Sequence, residues 1–100
     1  MAFDGTYLHL IVPSPAGVPQ LWSYKTADAA ATVDTANYFA NALEMGMRIY
    51  DVVLRTTVTN LGASNEAYST QGFHVINAAS RSAGTIDAAD AVALSGTDTD

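Results

Sequence analysis

Residues 31–54, ATVDTANYFANALEMGMRIYDVVL, constrain the fold most. They read as a short helix near residues 34–44, a glycine stop, and then the longest strand-like run in the chain. Asp34 stands where an N-cap carboxylate accepts from the free amides of a first turn, at the positive end of the helix dipole. Val33 and Tyr38 occupy the two positions of a hydrophobic staple, while Asn37 at N3 leaves the capping box incomplete. Tyr38 with Ala42, and Phe39 with Leu43, fall on shared faces at i,i+4 spacing. Gly46 is placed to stop the helix, because a left-handed residue costs glycine least. A helix this short is not stable alone. It must dock on a sheet, with Tyr38 and Phe39 as core anchors.

After Gly46 the pattern turns extended. Met47, Ile49 and Val53 share one face, and Tyr50, Val52, Leu54 and Val58 the other. Both faces are partly apolar, as expected of a strand covered on two sides. Residues 56–59 continue the β-branched preference. Asp51 is the exception in this run, and its expected role is structural: to cap a turn, face a subunit boundary or sit at a bulge.

The remaining segments read as shorter strands joined by turns. Residues 7–12 form a first strand. Residues 13–19 hold all three prolines, Pro13, Pro15 and Pro19, and cannot lie in a central strand because proline donates nothing to a ladder. They make a hairpin loop, with Gly17 supplying a permissive backbone. Residues 20–25 return, placing Trp22 and Tyr24 on one face, where they are expected to meet Tyr38 and Phe39. Residues 26–32 are a loop or single turn, and residues 60–66 a clear loop. Residues 68–78 form another strand, with Phe73 and Val75 facing one way and His74 and Ile76 the other. Gly72 within it implies a bulge or a close backbone contact. Ile86, Ala88, Val92 and Leu94 recur at even positions and fit one last strand or two short ones. Residues 1–6 are expected to be an extended arm and residues 95–100 a mobile tail. The expected fold is one mainly-β domain, a sandwich or small barrel-like sheet with one short helix.

Chain length allows a modest core, and the absence of cysteine removes disulfides and thiolate metal sites. A net charge of −6 with four scattered basic residues argues against nucleic acid and against an anionic membrane surface. No segment reads as a signal peptide or a bilayer span, so synthesis and assembly are expected in the cytoplasm. Charged residues make up 14% of the chain, a composition that suits a surface lying against other protein. Catalytic machinery is not evident. A zinc site needs about three such ligands, and although His9, His74 and Asp51 could meet in space, nothing in their spacing says so; no serine sits in a nucleophile elbow, and no glycine-rich phosphate loop is present. Asp87 with Asp90 read as loop or strand-edge charge, and Asp98 with Asp100 resemble part of a calcium loop but lack its remaining oxygen ligands and closing Glu. The expectation is a non-enzyme without metal or cofactor.

The run from Leu21 to Leu54 resembles small structural virion proteins of tailed bacteriophages and gene transfer agents. In that pattern an aromatic strand, here Trp22-Ser23-Tyr24, precedes a Thr-Ala-Asp segment, here Thr26-Ala27-Asp28. Thr32-Val33-Asp34, the Tyr38-Phe39 pair and Asn41 follow. Met47 to Val52 matches a "Gly-Asp" strand opening, with Tyr50 standing where glycine is usual. Residues 73–78 and 85–94 resemble the last strands. The resemblance implies a head decoration, head fibre, spike-base or tail-appendage component. It further implies a symmetric homo-oligomer, such as a trimer or pentamer, bound to major capsid or other virion proteins. Residues expected to dock are Tyr7, Leu8, Pro13, Pro15 and Pro19, with residues 7–12 able to extend a neighbour's sheet. The alternative is a small carbohydrate- or peptide-binding module that stacks ligand on Trp22 with Tyr24 or Tyr68.

Overall fold

The computed structural model describes residues 3–15 and 17–94. Six strands form one mixed sheet: β1 (Leu8–Val12), β2 (Leu21–Thr26), β3 (Val52–Thr59), β4 (Ala67–Ser80), β5 (Thr85–Ala88) and β6 (Val92–Leu94). The order is β1-β2-β3-β4-β5, with β6 also paired to β4. All neighbours are antiparallel except β2 and β3, which run parallel. The parallel pair requires a long crossover. That crossover supplies α1 (Ala30–Val33) and a 3-10 helix at Ala40–Met45. The mainly-β expectation is met, but by a single open sheet backed by helical turns rather than a sandwich or barrel. The crossover residues fill the layer that a second sheet would have occupied.

Alternation sets the inner face. Trp22, Tyr24 and Thr26 on β2 lie beside Val53, Arg55 and Thr57 on β3, then Gly72, His74 and Ile76 on β4, all buried. Leu8, Ile86 and Ala88 extend this face, and Val33, Phe39, Ala42, Leu43 and Met47 pack onto it. Tyr24 meets Tyr38 and Phe39 edge-on at ring separations of 6.1 and 5.5 Å, the contact the sequence predicts. Phe3 stacks on Tyr24 at 5.4 Å, so the arm is docked from residue 3 onward instead of extended. Residues 95–100 lie outside the described residues.

The expected helix at 34–44 is not formed as one element. Asp34 is the C-cap of α1, not an N-cap, and the 3-10 helix begins six residues later. Asn37 breaks the run by adopting φ +66°. Its amide donates to the Ile86 carbonyl at 2.7 Å, and its side-chain oxygen accepts from the Ile86 amide at 3.1 Å. Two long-range bonds to β5 thus outweigh a few residues of helix propensity, which is a small local preference. Gly46 does close the 3-10 helix, in the left-handed region at φ +102°. The strand after it starts at Val52, because Arg48 to Asp51 form a turn in which Tyr50 takes φ +73°.

Candidate functional site

Asp51 organises the turn that starts β3. It is fully buried and accepts four bonds: from the Gln20 amide at 3.0 Å, Gln20 Nε2 at 2.9 Å, Trp22 Nε1 at 2.9 Å and the Arg48 amide at 3.0 Å. A carboxylate has room for about four such donors. Arg48 continues the network outward, and its Nη2 donates to the carbonyls of Ser14, Pro15 and Val18. The proline-rich loop is therefore pinned to the β3 turn, with Pro13, Pro15 and Pro19 exposed.

Of the other residues expected to dock, Leu8 is 2% exposed and belongs to the core, while Tyr7 packs half-buried against it. The exposed residues of β1 are His9, Leu10, Ile11 and Val12. Trp22 and Tyr24 are also buried, so neither presents a ring to a ligand, whereas Tyr68 is exposed.

The outer sheet face has no covering layer among the described residues. Three rows cross it: Leu21, Val52 and Val75; Ser23, Leu54, Phe73 and Val92; and Lys25, Thr56, Gln71 and Leu94. Val75, Val92 and Leu94 are 43%, 69% and 39% exposed, and the others are half-buried. The single charge in these rows, on Lys25, is paired with Glu66 at 2.6 Å. The sequence led us to expect cover on both faces of β3, and only the inner face has it.

At the far end of the inner face, α1, β4 and the β5–β6 connection enclose a groove of about 960 Å³. Arg55 lies in its floor, 2% exposed. Its Nε donates to His74 Nε2 at 3.0 Å, and its Nη1 to the hydroxyls of Thr57 and Thr70. Thr57 in turn donates to the Asp28 carbonyl at 2.7 Å, tying the guanidinium to the start of the crossover. His74 Nδ1 lies 2.8 Å from the Ala89 carbonyl. An arginine only donates and a carbonyl only accepts, so His74 is the neutral Nδ1–H tautomer. Burial holds its pKa below the ordinary imidazole value, and the Arg55 charge adds to this. Burial likewise lowers that of Arg55. Across the groove, burial raises the Asp34 carboxyl above its usual range, reinforced by the Asp90 carboxylate beside it. Sequence reading missed Arg55, although its i,i+2 spacing from Val53 and Thr57 marks it as inward-facing.

Among the described residues no three His, Asp or Glu side chains gather as a metal site. No helix among them is long and apolar enough to cross a membrane. Compared with family models, curated proteins and solved structures, the chain finds no match.

Proposed function

We propose that this protein is a structural subunit of a tailed-phage-like particle, a capsid-decoration, head-fibre or spike-type component that assembles with copies of itself. The observation that carries this reading is the uncovered apolar outer face of the sheet. A sheet with one face open to water normally shows polar residues there. Here Leu21, Val52, Leu54, Phe73, Val75, Val92 and Leu94 occupy it instead. Among the described residues the three rows carry no carboxylate, and Lys25 is neutralised by Glu66, so two copies can approach through them without bringing like charges together.

Area decides the mode of assembly. Four strands spaced by about 4.8 Å and five residues long give roughly 300 Å² of plane. A standard pairwise interface needs about 800 Å² per partner. The face alone is too small, so stable assembly also uses the exposed edge strand β1 and the pinned proline-rich loop beside it. Two distinct contact surfaces on one subunit favour a closed ring over an isolated face-to-face pair.

Sedimentation equilibrium tests this directly. The wild-type chain is expected to form a discrete trimer or pentamer, and Leu54→Glu with Phe73→Glu is expected to give a folded monomer. A wild-type chain that stays monomeric and also fails to bind undecorated capsids overturns the reading.

A further inference from the structure

We propose that the groove over Arg55 is a binding site for a small monocarboxylate with an aliphatic body. Arg55 is a buried cation. Removing a guanidinium from water costs several kcal/mol unless charge or hydrogen bonds replace the lost solvation. Among the described residues Arg55 has no carboxylate partner, and its three bonds go to neutral acceptors, His74, Thr57 and Thr70. Its Nη2 donates to no atom of the described residues. No side-chain nitrogen or oxygen sealed from solvent lacks a partner among the described residues. Nη2 therefore opens to the groove.

Gly72 makes that opening possible. A Cβ there would stand 3.2 Å from Arg55 Nη2 and 2.9 Å from the Val92 carbonyl oxygen. The missing side chain lets β6 pack close to Gly72 and keeps a Cβ from capping the guanidinium edge.

The walls define the ligand. Ala30, Ala31, Ala91 and Ala93 give an aliphatic lining around the single cation. Pockets of this size bind apolar bodies oriented by a few polar groups, and a carboxylate is the anion that matches a guanidinium edge. Asp34 and Asp90 stand on the same groove. Their negative charge opposes phosphate and other polyanions more strongly than a singly charged acid, which Arg55 can still offset.

The test uses the full chain and 3-methylbutanoate, with 3-methylbutanamide and inorganic phosphate as controls. The ¹H–¹⁵N signals of Arg55 Nε and the Gly72 amide are followed by NMR. The carboxylate is expected to shift both saturably, and the amide to bind at least about tenfold more weakly, as a lost charge-assisted bond implies. Ala31→Trp, on the exposed side of α1, is expected to fill the groove and abolish the shifts with an unchanged melting temperature. No saturable shift with the carboxylate in large excess overturns the proposal. So does equal affinity for the amide or for phosphate, or undiminished binding by folded Ala31→Trp.

Discussion

Arg55 and His74 are joined by a bond from the guanidinium Nε to the imidazole Nε2, 3.0 Å long and buried. The bond exists only while His74 is neutral, because protonation at Nε2 would set two donors and two positive charges against each other. Stability is therefore tied to pH at this residue. Folding lowers the His74 pKa below the ordinary 6.5, so below that value the unfolded chain binds more protons than the folded one. His74 thus contributes stability that is complete above pH 6.5 and lost as pH falls toward the depressed folded value. Asp34 acts with the opposite sign: its folded pKa lies above 3.8, so its contribution is lost as pH rises from 3.8 through the raised value. Urea midpoints of the wild type are expected to fall between pH 7.5 and 5.5. In His74→Gln that part of the fall should vanish, and an unaltered pH dependence would refute the assignment.

Asp51 should be among the most sensitive positions in the chain. Its carboxylate answers the Gln20 and Arg48 amides, Gln20 Nε2 and Trp22 Nε1 together. Asp51→Ala strands several buried donors, each costing about 1–3 kcal/mol when left unsatisfied. Asp51→Asn keeps the shape but turns a donor toward donors. We expect a loss of roughly 3 kcal/mol for either variant, with the Trp22 fluorescence shifted because its indole N–H has lost its partner. A loss within experimental error by chemical denaturation would contradict this.

Tyr50 holds a left-handed backbone at φ +73° and is largely exposed. A non-glycine residue pays about 1–2 kcal/mol for that conformation, and glycine offsets part of the gain through greater freedom in the unfolded chain. Tyr50→Gly is expected to stabilise the fold by up to about 1 kcal/mol, seen as a higher melting temperature. If the Tyr50 ring contributes to assembly, the same variant will be more stable yet less oligomeric, and sedimentation separates the two effects.

Much of the sheet was legible because its signal is local. Trp22, Tyr24 and Thr26 alternate with half-buried neighbours as their spacing demands, and His74 and Ile76 face away from Phe73 and Val75. The prolines mark the β1–β2 hairpin loop, and Gly46 marks a helix end. The helical boundaries were not legible. Asp34 is a good N-cap by residue type, but the backbone there is decided by Asn37 pairing with Ile86, 49 positions away. The groove was hidden for a related reason: Arg55, Asp34 and Asp90 are remote in sequence, and only the β3–β4 register and the crossover bring them to one place. The outer face was read correctly as apolar. That no layer of the described residues covers it was not legible, because the cover depends on where the crossover packs and not on the strand pattern.

Gly72 is the position where geometry forbids a side chain most directly. Its φ is not positive, so the restriction is one of space rather than backbone strain. An added Cβ would lie 2.9 Å from the Val92 carbonyl oxygen, 3.2 Å from Arg55 Nη2 and 3.3 Å from the Ala91 Cβ. The first of these is backbone of β6, which pairs with β4 through Gln71, Gly72 and Phe73. Arg55 cannot retreat without breaking its bond to His74, so relief must come from β6 moving away. Gly72→Ala is expected to cost roughly 2 kcal/mol, within the range for overpacking a tight site. The loss should be concentrated at β6. Hydrogen exchange is expected to show Val92–Leu94 losing protection by a larger factor than the β2–β3 pair. Uniform loss across all six strands would mean that Gly72 acts through global stability and not by holding β6 against β4.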